Sequence, residues 1–327
     1  MILTLLTLAV GLAGLLVGGE LLVRGAVRLA ERAGVTPLVI GLVIVGFGTS
    51  APELVASLQA ALSGSPAIAW GNIAGSNIAN TLLILGAAAL MAPIAIRRSI
   101  AGRDTGLALG ASLALLGLAF AQWSGAWIGM VMAAALIAYI AWCYVEEKRD
   151  KRAAEHNAVH DRAEALEMSD GALHVAEAGW TRPILLTVGG LVLLVIGGRM
   201  LVDAAIDLAR LAGLGETVIG LTIVAIGTSM PELVTSLVAA RKGETEVAFG
   251  NVVGSNIYNI LGIGGVTMIV APMPLPTELL PWDMGLMALS AAMLFAVAVF
   301  RGRVGRGLGG VLVGSYCAYL AWLLAAA

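Results

Sequence analysis

The sequence predicts an all-α integral membrane protein of ten transmembrane helices, arranged as a 5+5 inverted-topology repeat. Three observations lead there. Of 327 residues, 59% are hydrophobic and only 12% are charged, about half the charge of an ordinary soluble domain. The apolar runs are long enough to cross a bilayer, at about 20 residues each, and lack the two-residue alternation of a barrel strand. The second half of the chain repeats the first at an offset of 179 residues.

The elements follow from the apolar runs. The stretch from Met1 to Ala30 is too long and too poor in N-terminal charge for a cleaved signal peptide, so it reads as the first spanning helix, 2–30. The remaining nine fall at 36–62, 67–92, 104–121, 125–145, 183–210, 216–240, 246–271, 281–300 and 307–325. The stretch 146–179 is dense in Glu, Lys, Arg, Asp and His and reads as a solvated linker. It divides a first five-helix repeat, 1–145, from a second, 180–327. His156 and His160 in the linker have a spacing that could ligate a metal on a helix, but a polar linker accounts for them. Cys143 and Cys317 stand alone in apolar runs and read as buried small hydrophobes. No basic tract points to nucleic acid.

Lys and Arg set the orientation. With helix ends alternating sides, seventeen of the nineteen basic residues fall on one face, which is therefore expected to be cytoplasmic. Only Arg199 and Arg210 fall on the other. Both termini then lie outside the cytoplasm. Trp123, Trp127, Trp282 and Trp322 fall near the outer interface, with Trp142 and Trp180 near the inner one, as aromatic belts require.

The repeat is the most informative feature. Gly41–Gly64 matches Gly220–Gly243, and Trp70–Gly86 matches Phe249–Gly265; 27 of the 46 positions from Gly41 are identical without a gap. Five helices per half is an odd number, so the second copy enters the membrane from the opposite side. Arg24 and Arg28 in copy one become Asp203 and Asp207 in copy two, as the positive-inside bias would select for two oppositely facing copies.

The chemistry sits in the repeated motifs. Glu53 and Glu232 are ionisable groups in apolar segments at equivalent positions. Such groups are costly in a membrane and mark an ion path; the bland alternative is a cap on a broken half-helix. Each follows a Gly-Thr-Ser-x-Pro run: Gly48, Thr49, Ser50, Pro52 and Gly227, Thr228, Ser229, Pro231. Pro removes a donor and obstructs the preceding turn, so the helix should break and free carbonyl oxygens. Irregular backbone at that depth is tolerated where it lines a site. Carboxylate, hydroxyl and carbonyl oxygens together suit a hard cation. The neighbouring helices add Asn72, Ser76, Asn80 and Asn251, Ser255, Asn259 at four-residue spacing, each trio on one face. Such side chains also join helices, an alternative open above all for Asn72 and Asn251; the deeper four are expected to contact ions.

These residues resemble the cation/calcium exchanger superfamily, in particular its prokaryotic sodium/calcium exchangers. The two GTSxPEL segments and the two GN-xx-GSN-xx-N segments look like that family's alpha repeats. The resemblance implies ten helices, with helices 2, 3, 7 and 8 broken or kinked around the ion sites. It implies an antiporter, not an enzyme, exchanging Na⁺ for Ca²⁺ by alternating access in the cell (inner) membrane. It implies no cofactor, the lipid bilayer as surroundings, and function as a monomer. It implies calcium binding by Glu53, Glu232, Thr49, Thr228 and the carbonyls of Gly46 and Ala225. It implies sodium binding by Glu53, Glu232, Ser50, Ser76, Ser229, Ser255, Asn80 and Asn259. Potassium-dependent relatives carry Asp where this chain has Asn259, so potassium dependence is not expected. The rival readings are a Ca²⁺/H⁺ antiporter using protonation of the two glutamates, and a passive cation channel. Proton-coupled relatives usually carry Gly-Asn before the Glu, which ranks that reading lower.

Overall fold

The computed structural model describes residues 2–33, 49–96, 98–153, 179–211, 220–241 and 245–326, with Gly213, Val218 and Gly243. The first half contains α1 (Ile2–Ala33), α2 (Ala51–Leu62), α3 (Pro66–Met91), α4 (Arg98–Ala121) and α5 (Ala126–Ala153). The second contains α6 (Thr181–Leu211), α7 (Leu221–Thr228), α8 (Met230–Arg241), α9 (Thr245–Ile257, continuing to Val270), α10 (Trp282–Ala296, continuing to Arg301) and α11 (Arg306–Ala326). Among the described residues six helices are long and apolar enough to cross a membrane, and the bent pair α7–α8 makes a seventh.

Most boundaries lie near those expected. One difference is that α5 runs on to Ala153, eight residues past the apolar stretch. Glu146 to Ala153 is rich in good helix formers, and nothing there stops a helix already nucleated in the membrane. The rest of the linker, with His156, His160 and His174, lies outside the described residues. A second difference is a two-residue antiparallel ribbon, β1 (Ile94–Ala95) with β2 (Arg303–Val304), where only loops were expected. Ile96 N–H donates to the Gly302 carbonyl at 2.9 Å and closes it. Cys143 is buried as expected, but Cys317 is exposed on the outer face of α11.

The duplication is visible in the corners. α2 ends on Gly64 at φ +77 and α8 ends on Gly243 at φ +82, two repeat-equivalent positions that need the left-handed conformation glycine tolerates. α3 and α9 are the central helices: 83% of each apolar window is buried, against 28–44% for α4, α5, α10 and α11. The outer helices turn residues such as Ile137, Leu185, Leu289 and Phe300 outward, as lipid contact allows. Trp123, Trp127, Trp142, Trp180, Trp282 and Trp322 are exposed as well, whereas Trp70 is buried in α3.

α1 and α6 pack along one another. A side chain on Gly14 would meet Gly197 Cα at 3.3 Å, and one on Gly25 would meet the Thr187 main chain. Rising numbers in α1 therefore face falling numbers in α6, so these repeat-equivalent helices run antiparallel.

Candidate functional site

Pro52 and Pro231 determine where the chain breaks. Neither can donate a backbone hydrogen bond to the preceding turn, so a new helix opens at Ala51 and at Met230. The corner residues match closely: Ser50 has φ −83, ψ 5, and Ser229 has φ −83, ψ 9. α7 and α8 bend by 52° across that corner. The carbonyls of Ser50 and Ser229 accept from Leu54 and Leu233 at 3.1 and 3.0 Å, starting the next helix. Their hydroxyls are thereby left to cross to the opposite half. Glu53 and Glu232 occupy the first turns of α2 and α8, where the N-terminal dipole favours a carboxylate.

The two halves interlock at this point. Ser50 Oγ donates to Glu232 Oε1 at 3.2 Å, and Ser229 Oγ donates to Glu53 Oε1 at 3.0 Å. Thr49 lies against Glu232 and Thr228 against Glu53. Ser255 Oγ also reaches Glu232 Oε1, at 3.4 Å. Each carboxylate keeps one oxygen, Oε2, with no donor. Both glutamates are shut off from solvent, at 1% and 0% exposure.

Asn72 and Asn251 brace this crossing. Asn72 Nδ2 donates to the Glu53 carbonyl at 3.3 Å and to Ser57 Oγ at 2.9 Å. Asn251 Nδ2 donates to the Glu232 carbonyl at 3.2 Å and to Ser236 Oγ at 3.0 Å. Asn72 Oδ1 accepts from Ser76 at 3.4 Å and from Thr228 at 3.2 Å. Joining of helices, the alternative left open for these two asparagines, is thus one thing they do. Ser57 and Ser236 went unread in the sequence, although a serine four residues after each Glu in both copies was a usable signal.

The carbonyl of Ala225 accepts from Ser229 N–H at 3.1 Å and lies 3.5 and 3.4 Å from the Ser76 and Thr228 hydroxyls, for which it is the alternative acceptor to Asn72 Oδ1. It therefore faces the site while still closing its own helix. α3 can approach it because residue 75 is glycine: a side chain there would meet the Leu221 carbonyl at 2.7 Å. Gly46, the expected counterpart, lies outside the described residues.

Deeper in α3 and α9 the helices widen by one residue per turn at equivalent places, Ala79–Ile84 and Tyr258–Gly264. Such wide turns often mark functional sites. Asn80 and Asn259 sit in them, fully buried. Asn80 Nδ2 donates to Asn256 Oδ1 at 3.1 Å, and Asn256 Nδ2 is in turn held by Thr81 at 2.9 Å. The second half has Ile260 where the first has Thr81. Asn77, the first-half equivalent of Asn256, turns back to the Ile73 carbonyl at 2.8 Å, and both amide atoms of Asn259 are left without partners. The asparagine layer is thus asymmetric, with Thr81 supplying an acceptor that Ile260 lacks.

Of the expected site residues among those described, Glu53, Glu232, Ser50, Ser229, Thr49, Thr228, Ser76, Ser255 and the Ala225 carbonyl meet in one buried hydrogen-bonded cluster. Asn80 and Asn259 lie in the asparagine layer and make no hydrogen bond to the glutamates. The donors are carboxylate, hydroxyl, amide and carbonyl oxygens, hard ligands suited to alkali and alkaline-earth cations. Two buried carboxylates, each the other's charged neighbour, are expensive to hold apart from countercharge.

A helical bundle with an apolar exterior and a buried oxygen-lined chamber at crossed, broken helices defines a multi-pass membrane transporter of cations. The chain belongs to the sodium/calcium exchanger protein family, whose model matches residues 3–145 and 182–325. It is 32% identical over 326 residues to the inner membrane protein YrbG of Escherichia coli, covering 99% of this chain and 97% of that one. It is 31% identical to the sodium/calcium exchanger MaX1 of Methanosarcina acetivorans, over 96% and 97% of the two chains. Against the solved sodium-calcium exchanger NCX_Mj the TM-score is 0.75, with 27% identity and 98% of each chain covered.

Proposed function

We propose that the protein exchanges Na⁺ for Ca²⁺ across the membrane by alternating access, through a single site formed where the two halves cross. The observation that carries this is the facing pair of buried glutamates, each tied to the opposite half by a serine and each with a spare oxygen. Two carboxylates neutralise one divalent cation, so a loaded site can be occluded in low dielectric without net charge. Ca²⁺ takes six to eight oxygens at about 2.3–2.6 Å. Glu53, Glu232, Thr49, Thr228 and the carbonyls of Ala225 and Gly46 are assigned to it. Na⁺ is assigned to the same glutamates with Ser50, Ser76, Ser229, Ser255, Asn80 and Asn259. The names of the relatives MaX1 and NCX_Mj point to the same pair of ions.

The chain is divided as two five-helix repeats, 1–145 and 180–327, around the linker 146–179, with ten spanning helices in all and both termini outside the cytoplasm. The antiparallel packing of α1 on α6 supports the inversion. An inverted pair offers two conformations related by exchange of the halves, one open to each side.

The decisive test is Ca²⁺ uptake into Na⁺-loaded proteoliposomes, with K⁺-loaded vesicles and a pH gradient as controls. Uptake that requires internal Na⁺ and is lost in Glu53→Gln supports the reading. Uptake driven by the pH gradient alone would establish Ca²⁺/H⁺ antiport instead, and uptake independent of both gradients would establish a channel.

A further inference from the structure

We infer that Asn251 presents its side-chain carbonyl oxygen to the transported cation, and that Ser236 is the positioning residue that fixes its orientation. This deepens the exchanger reading and rests on it.

The amide has only one workable orientation. The Glu232 carbonyl can only accept, so the atom 3.2 Å from it must be Nδ2. Ser236 Oγ, 3.0 Å from the same nitrogen, holds it from a second direction. Because the amide is planar, Oδ1 then points away from α8. The repeat shows where it points. In the first half the matching atom, Asn72 Oδ1, lies against Ser76 and Thr228, two hydroxyls of the chamber. The equivalents of those residues in the second half are Ser255 and Thr49. Yet Ser255 donates to Glu232, where its counterpart Ser76 reaches Asn72. Asn251 Oδ1 is left buried with no donor, on a residue 8% exposed. A fixed carbonyl oxygen beside Glu232, without a donor and cut off from water, is costly unless a cation meets it.

Asn72 and Asn251 are therefore unlike in this conformation, although the sequence makes them equal. Asn72 Oδ1 is spent on hydroxyls, whereas Asn251 Oδ1 is available as a neutral ligand that adds an oxygen without adding charge.

The test uses full-length protein purified in detergent and then reconstituted, comparing wild type with Asn251→Ala, Ser236→Ala and Ser236→Thr. Thermal unfolding is followed with and without added Na⁺ or Ca²⁺, and half-saturating concentrations are taken from exchange in proteoliposomes. For Asn251→Ala the half-saturating cation concentration should rise by about tenfold, as for loss of one charge-assisted contact, and cation-induced stabilisation should shrink. Ser236→Ala keeps Oδ1 but frees the amide, and a several-fold rise is expected, reversed in Ser236→Thr. Ser236→Ala keeps the test open should Asn251→Ala not fold. Lower stability without cation, combined with unchanged half-saturation and unchanged cation-induced stabilisation, would reduce Asn251 to a helix-joining residue and overturn the inference. A wild type with neither exchange nor cation-induced stabilisation would overturn the exchanger reading as well, which separates the two failures.

Discussion

Glu53 and Glu232 are each held by the serine of the opposite half, Glu232 by Ser255 in addition, and their substitution should have effects of similar size. Glu53→Gln and Glu232→Gln each remove half the countercharge available to a divalent ion. Loss of one partner from a buried charged cluster costs about 3 kcal/mol or more, so Ca²⁺ affinity should fall at least roughly a hundredfold. Calcium uptake by both variants checks this, and wild-type uptake in either one would remove that residue from the path. The asparagine layer should respond less. Thr81→Val takes away the hydroxyl that holds Asn256 at 2.9 Å and loosens the Asn80 contact behind it. A cost of about 1 kcal/mol should appear as a few-fold weaker apparent Na⁺ affinity in a titration of exchange against Na⁺. The equivalent residue in the second half, Ile260, has no such hydroxyl to lose.

Among the elements, α3 and α9 form the core and the other helices pack around them. The approach of α3 to α7 depends on Gly75, since an added methyl would lie 2.7 Å from the Leu221 carbonyl and 2.8 Å from Ala225 Cβ. Neither atom belongs to the far end of a flexible chain. Gly75→Ala should therefore destabilise the protein by about 1–3 kcal/mol and shift the Ala225 carbonyl, lowering both the unfolding temperature in detergent and the exchange rate. α10 and α11 are joined differently. Tyr319 donates to the buried carboxylate of Asp283 at 2.8 Å, and Trp322 lies beside both Tyr319 and Trp282. Tyr319→Phe should cost about 2 kcal/mol, as for a hydrogen bond to a charged group, measured as a lower unfolding temperature. Exchange at low temperature should persist, because the pair lies outside the chamber. Asp104, the repeat equivalent of Asp283, pairs with Arg103 at 2.6 Å and has Tyr139 of α5 beside it, so the duplicated helices have kept the carboxylate and one copy has added a cation.

The scale of the whole molecule is where inversion matters. The proposed orientation, with both termini outside, would place the corner before α5 on the outer side and the ribbon joining α3 to α10 on the cytoplasmic side. A single cysteine at Ser124 should react with a membrane-impermeant thiol reagent added to intact cells, and one at Arg303 only after the membrane is opened. Reaction of Arg303→Cys from outside would reverse the assigned orientation. Access to the chamber should alternate between the same two sides, since an inverted pair of halves can exchange roles.

The sequence by itself determined the membrane class, the duplication and nearly every helix, because lipid forces one backbone solution and apolar runs reveal it. It also picked out the glutamates and serines that the structure brings together, because a carboxylate, a proline and hydroxyls repeated in an apolar setting are costly in lipid; their role as ion ligands is proposed. Composition could not reveal the ribbon of Ile94–Ala95 with Arg303–Val304, because two-residue pairing depends on helix ends brought close by packing. Nor could it show that Ser50 serves Glu232 and Ser229 serves Glu53, since a hydroxyl and its carboxylate 182 or 176 positions apart meet only when the halves cross. The unequal states of Asn72 and Asn251, and of Asn80 and Asn259, were likewise decided by tertiary structure. Identical residues acquire different partners because donors nearby are limited and each hydroxyl can be given only once.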